Sequence, residues 1–147
     1  MKRIARSAIV ECGAGNFYDL VEAIEAYPEF LPWCAAVEVR ERTPRRTIAM
    51  LTLAVKGVRQ SFTTENTNVP GQSIDMRLIE GPFRSFAAAW RFTPLGEGAC
   101  KAEYSMEYEF SNRVVAALLE PVFRRIANST VDAFTKRIPR ERIPYAR

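Results

Sequence analysis

The segment CKAEYSMEYEF, residues 100–110, constrains the fold more than any other. Ala102, Tyr104, Met106, Tyr108 and Phe110 alternate strictly with Lys101, Glu103, Ser105, Glu107 and Glu109. A period of two puts these sets on opposite faces of a β-strand. One face is aromatic and apolar and has to be buried; the other is polar and mostly charged and has to meet water. The pattern recurs upstream. Phe86, Ala88, Trp90 and Phe92 share a face in 84–94, as do Ile74, Met76 and Leu78 in 72–80, opposite Asp75 and Arg77. In 58–68, Val58, Gln60, Phe62 and Thr64 alternate with Arg59, Ser61, Thr63 and Glu65. The runs 35–42 and 46–55 are less regular but strand-like, and a first strand covers 4–11. Turn signals separate the runs: Thr43-Pro44, Lys56-Gly57, Pro70-Gly71, Gly81-Pro82 and Gly96-Glu97-Gly98. Connections this short join antiparallel neighbours. Residues 35–110 therefore read as a six-strand meander, and the first strand makes seven.

Helical spacing flanks the meander. Phe17, Leu20, Val21 and Ile24 fall at i, i+3, i+4 and i+7 in 14–25. A long helix starts after the cap pair Ser111-Asn112 and runs over 113–137. Its apolar stripe is Val115, Leu118, Leu119, Val122, Phe123, Ile126, Thr130, Ala133 and Phe134. Pro121 lies inside this helix and predicts a bend or a break. A twisted meander of this size curls, and the long amphipathic helix is the element available to cover its apolar face.

Between the short helix and the second strand lies AYPEFLPWCAAV, residues 26–37. Pro28 and Pro32 predict irregular chain, and irregular chain runs over the surface. Phe30, Leu31 and Trp33 make it unusually apolar for that setting. They serve as a lid, as a tip touching a membrane, or as a plug in the open end of the sheet.

Composition removes whole classes of chemistry. The chain has no histidine, which excludes Ser-His-Asp and Cys-His nucleophile systems and histidine zinc sites. Three widely spaced cysteines, Cys12, Cys34 and Cys100, form neither a disulfide framework nor a metal ladder. They fit a reducing, cytoplasmic setting as small buried hydrophobes. No stretch approaches the ~20 apolar residues of a membrane span, and the N-terminus lacks the long apolar run of a secretory signal. The net charge of +4 is carried by the tail TKRIPRERIPYAR, and Lys2, Arg3 and Arg6 add a second basic cluster. The division expected is one domain over 1–137 and a basic tail over 138–147. Such a tail is a solubilising end or a contact to anionic lipid or RNA.

The order strand, short helices, six antiparallel strands, long helix resembles the helix-grip fold. This is the START-like or Bet v1-like α+β architecture: a seven-stranded antiparallel sheet curled around a long C-terminal helix, with two short helices after the first strand. The segments YPEFLPWC, QSFTTENT, SIDMRLIEGPFRSFAAAWRFTPL, CKAEYSMEYEFSN and VFRRIANSTVDAF resemble one branch of that superfamily. The branch holds the bacterial ribosome association toxins and the mitochondrial coenzyme Q-binding proteins, and its members are also labelled oligoketide cyclase or lipid transport protein. The resemblance implies a cavity between sheet and long helix that binds a hydrophobic quinone or lipid, ubiquinone foremost, with no cofactor required. It implies a role in respiratory electron transport and, as the alternative, a toxin that binds the large ribosomal subunit and blocks subunit association. A location in the cytoplasm, or peripheral to the inner membrane through transient surface contact, goes with these roles; DNA is not an expected partner.

The residues expected to wall such a cavity are Phe62, Met76, Phe86, Trp90, Tyr104, Met106 and Tyr108 from the sheet, with Leu119, Phe123 and Ile126 from the helix. Phe83 is a portal candidate beside Phe30, Leu31 and Trp33. An aromatic stripe also describes plain core, so each wall residue carries both readings. Trp90 stands out because a buried indole N–H needs an acceptor. Lys56, Gln60 and Arg77 are the polar anchor candidates. A polyketide-cyclase type of activity would need an acid–base pair inside the pocket. The carboxylates of 100–110 fall on the opposite face, so binding without catalysis is the expectation.

Overall fold

The computed structural model describes residues 2–55 and 57–142, with side chains described through 137. The elements are β1 (Lys2–Val10), α1 (Ala14–Glu22), a 3-10 turn (Ile24–Ala26), α2 (Tyr27–Phe30), β2 (Cys34–Thr43), β3 (Arg46–Val55), β4 (Val58–Val69), β5 (Ser73–Glu80), β6 (Phe83–Pro94), β7 (Cys100–Phe110) and α3 (Arg113–Arg142). The strands form one antiparallel sheet in the order β1-β7-β6-β5-β4-β3-β2. The meander is as the alternation predicts, and β1 closes it by pairing with β7 from Lys2↔Tyr108 to Val10↔Cys100. Gly57 and Gly71 take φ of 83° and 76°, the left-handed backbone that these tight hairpins require. The edge strand β2 carries two register shifts against β3, at Cys34/Ala36 and Val39/Glu41.

Burial follows the period of two. On β7 every second residue from Cys100 to Phe110 is buried, and on β6 Phe86, Ala88, Trp90 and Phe92 are buried. The N-terminus of α3 is capped as expected: the Val115 backbone N–H donates to Asn112 Oδ1 at 2.9 Å. The helix lays Leu119, Phe123, Ile126, Ala127, Thr130, Val131 and Phe134 onto the sheet.

Three expectations change. First, α3 is one continuous element through Pro121, not two. Pro121 faces solvent, so its ring and the carbonyl it leaves unpaired disturb no packed surface. Second, Leu118 does not belong to the buried stripe: it is 54% exposed, as is Val114 at 79%. The contact line runs through 119, 123, 126, 130 and 134, and residue 118 sits about 100° around the helix from 119. Third, AYPEF is not irregular: Tyr27–Phe30 makes one helical turn with Pro28 in its first positions. Proline has no N–H to lose there, so it starts the turn rather than breaking it. The helix α3 reaches Arg142, so the backbone of the first tail residues is helical; residues 143–147 lie outside the described residues. Among the described residues no helix is long and apolar enough to cross a membrane.

Two aromatic clusters hold helix to sheet. Around Phe123 gather Phe62, Phe83, Phe86, Tyr108 and Phe110, with ring centroids 5.1–6.3 Å from it. Around Phe134 gather Trp90 at 5.4 Å, Tyr27 at 5.3 Å and Phe30 at 5.2 Å. The short helix α1 edges its Phe17 onto Trp90 and Phe92 at 6.0 and 5.7 Å.

Gly81, between β5 and β6, is required by close approach rather than by turn conformation. A Cβ there would stand 2.7 Å from the Cβ of Phe62. Gly81→Ala is expected to destabilise the fold by about 1–3 kcal/mol, read as a lower urea midpoint at unchanged slope. All three cysteines are buried and none is in a disulfide, and burial pushes the Cys34 and Cys100 thiols up to about 11 from an ordinary 9.0. The fold favours the neutral thiol, so this stability is fully present below pH 9 and is lost as pH rises through about 11. Thermal melts across pH 8–11.5 should show a midpoint falling above pH 9, and Ellman titration of folded protein at pH 8 should stay slow.

Candidate functional site

Between the two aromatic clusters the side chains become smaller, and the helix and sheet do not meet completely. Ile126 and Thr130 of α3 face Met76, Trp90, Tyr104 and Met106 of the sheet across a cavity of about 80 Å³. Phe62, Phe86 and Phe123 bound one side of it, and Phe134, Tyr27, Val21 and Ile24 another. Leu31 and Trp33, just after α2, close it together with Leu51 and Leu53 of β3. The volume is below the roughly 300–1,000 Å³ of ligand pockets. Two of the walls are methionines, whose unbranched thioether side chains repack readily.

A second hollow of about 670 Å³ opens on the surface between α2, the end of β3 and α3. Phe30, Pro32, Trp33, Ala54, Val55, Ile126 and Ala133 give it an apolar floor; Arg125, Asp132, Lys136 and Arg137 give it a charged rim. Trp33 and Ile126 line both spaces, so this pair is the wall that the outer groove and the inner cavity share. The Trp33 indole N–H is buried and finds no acceptor among the described residues. The side chain is therefore held there by packing alone and can swing without breaking a hydrogen bond. Its backbone carbonyl accepts from Ala54 N–H at 2.9 Å, which ties the segment to β3. Arg137 lies over the Phe30 ring at 4.8 Å and pairs with Glu29 at 3.1 Å, holding α2 against α3.

The predicted residues divide as follows. Leu31, Trp33, Phe62, Met76, Phe86, Trp90, Tyr104, Met106, Phe123 and Ile126 line the inner cavity. Phe30 belongs to the groove. Phe83 and Leu119 are buried outside the cavity walls, and Phe83 stacks on Phe110 at 5.1 Å. Tyr108 is fully buried beside them and donates to Glu120 at 3.1 Å; desolvation and the Glu120 carboxylate push its hydroxyl up to about 12. Gln60 lines neither space. Arg77 points to the outer face, where its Nε donates to Glu65 at 3.0 Å, because it occupies the polar phase of β5. Lys56 lies outside the described residues.

The cavity also has a polar end that the residue patterns did not single out. Thr47, Thr64, Asn66, Asn68 and Glu22 line it. Thr64 Oγ1 donates to Asn66 Oδ1 at 2.9 Å, and Asn68 Nδ2 donates to Thr47 Oγ1 at 3.2 Å. The signal was present: extending the alternation of Phe62 and Thr64 by two steps each time brings Asn66 and Asn68 to the same inward face. Thr47 and Ala54 sit at opposite ends of β3, about 23 Å apart at the usual rise per strand residue. The polar end therefore lies toward one end of β3, and Trp33, bonded to Ala54, toward the other.

This geometry has close parallels. The family described as Polyketide cyclase / dehydrase and lipid transport matches residues 12–135. A protein of Pseudomonas aeruginosa named ribosome association toxin RatA is 43% identical over 134 residues, spanning 91% of this chain and 93% of that one. A Xenopus laevis protein named coenzyme Q-binding protein COQ10 homolog B, mitochondrial, is 25% identical over 145 residues, 95% of this chain and 59% of that one. Among solved structures, the Streptomyces aromatase/cyclase Zhui superposes with a TM-score of 0.84 at 16% identity, covering 95% of this chain and 94% of its own. A START superfamily protein of Mycobacterium smegmatis superposes with a TM-score of 0.79 at 17% identity, covering 94% and 97%. Those two likenesses establish the helix-grip fold. With a family match over most of its length and a relative at 43% identity, the chain belongs to the polyketide cyclase/dehydrase and lipid transport family, in the branch of the ribosome association toxins.

Proposed function

We propose that this protein binds a hydrophobic quinone or lipid, of the ubiquinone type, without catalysing its conversion, in support of respiratory electron transport. The observation that carries this reading is the shared wall: Trp33 and Ile126 stand between an apolar inner cavity with one polar end and a wider outer groove, and a Trp33 that no indole hydrogen bond holds would open as the throat between them. A ring-bearing headgroup would enter past Trp33, displacing Met76 and Met106, while its isoprenoid or acyl tail lies in the groove on Phe30, Val55 and Ala133. The name of the coenzyme Q-binding relative supports the ligand class. Binding rather than turnover is supported by the side chains inside. Among the described residues Glu22 is the one carboxylate at the cavity, and it is paired with Arg42 at 3.1 Å; burial raises the Tyr27 and Tyr104 hydroxyls away from neutrality. Among the described residues no acid–base pair converges on one point of the cavity.

The test is purification from a quinone-producing host, organic extraction and mass spectrometry. Wild-type protein should carry a quinone or lipid. Ile126→Trp, which fills the throat from the helix side, should lower uptake at least tenfold while the melting midpoint moves by a few degrees at most. Wild-type protein that repeatedly carries no ligand and takes none up refutes the reading.

A second reading is favoured by a separate observation, the 43% identity to a ribosome association toxin across nine-tenths of the chain. In it the protein binds the large ribosomal subunit and blocks subunit joining. Its surface contacts would include the basic ends, so binding should weaken steeply with salt. Overexpression should then raise free subunits at the expense of monosomes on sucrose gradients. Growth arrest with unchanged monosomes would exclude it.

A further inference from the structure

The polar end of the cavity is a hydrogen-bond chain whose direction is fixed by chemistry. Arg42 holds Glu22 from two sides: Nε lies 3.1 Å from Oε2, and Nη2 donates to the Glu22 backbone carbonyl at 3.1 Å. A carboxylate paired in this way only accepts. Thr47 Oγ1, 3.4 Å from Glu22 Oε2, therefore directs its single proton there. Thr47 Oγ1 then offers Asn68 only lone pairs, so the amide atom turned toward it, at 3.2 Å, is the donor Nδ2. The other amide atom follows by elimination. Asn68 Oδ1 is an acceptor, buried, without a partner among the described residues, on a side chain of a residue 2% exposed that lines the cavity. Its neighbours Thr64 and Asn66 are bonded to each other at 2.9 Å.

We infer that Asn68 Oδ1 reads a hydroxyl. The inner cavity selects a hydrophobic ligand whose head donates a hydrogen bond and, of a quinone and its hydroquinone, selects the hydroquinone. This rests on the quinone-binding reading above and adds the redox form to it. A hydroquinone O–H satisfies the buried acceptor. A quinone carbonyl in the same place sets two acceptors against each other away from water and leaves Asn68 Oδ1 unsatisfied.

The experiment is anaerobic titration of the whole protein with decyl-ubiquinone and, separately, with its chemically reduced hydroquinone, read by tryptophan fluorescence and calorimetry. The reduced form should bind about tenfold more tightly or better. Asn68→Leu removes the acceptor and should abolish the preference. Should Asn68→Leu fail to fold, Thr47→Val serves instead: it removes the group that fixes the amide, which can then turn Nδ2 toward the ligand, and the preference should vanish or invert. Equal affinity of wild type for both forms, or a preference that survives both variants, overturns this inference and leaves quinone binding standing. Failure of both forms to bind overturns both readings.

Discussion

The structure depends on where α3 is fastened to the sheet. Phe123 and Phe134 each sit at the centre of an aromatic cluster, and a helix puts them about 16 Å apart along its axis. Between them the helix presents Ile126, Ala127 and Thr130, and the sheet presents Ala88 and Met106. Two large contacts prop a stretch of smaller side chains away from the facing surface. The cavity is thus a consequence of side-chain size order along α3, and its ends are set by the two clusters. Edge-to-face rings add specific geometry to area burial, so the propping is stiff where the ligand space is soft.

The sheet and its faces were legible because alternation is a strong signal where one face is buried and the other is charged. On β7 nothing competes with it. The misplaced details have local physical causes. Leu118 reads as core by composition but lies off the contact line of the helix by one residue. Pro28 reads as a breaker, yet the first turn of a helix is where proline costs least. The polar end of the cavity was harder to see. Thr64, Asn66 and Asn68 continue the inward phase of β4, but asparagine in a strand reads as turn chemistry unless the pairing register is known. Glu22 joins them only because the fold brings the end of α1 to Thr47 of β3, a long-range fact that no local pattern carries.

The charged surface is organised around a few arginines. Glu65 accepts from both Arg46, at 2.6 Å, and Arg77, and Arg46 also reaches Glu41 at 2.7 Å, so β2, β3, β4 and β5 are linked across the outer face. Exposed pairs of this kind contribute little to stability singly. Arg42 differs, because its partners Glu22 and Glu25 lie on the helical segment beside the polar end of the cavity. It fastens α1 to the end of β2, and through Glu22 its charge reaches the buried threonine and asparagine. A surface ion pair thereby sets the polarity of an interior site.

The two register shifts in β2 have a consequence beyond the bend they give the sheet. β2 is an outer strand, and its unpaired side would be a ready template for another copy of the chain. Bulges interrupt the even spacing of donors and acceptors that such pairing needs, and the strand carries Glu38, Arg40, Glu41 and Arg42 in close succession. The opposite border, β1, opens with Lys2 and Arg3 and adds Arg6. Both borders of the sheet are thus poor partners for a neighbouring strand. The apolar residues that a seven-stranded sheet gathers on one face are thus kept from seeding aggregates through its edges.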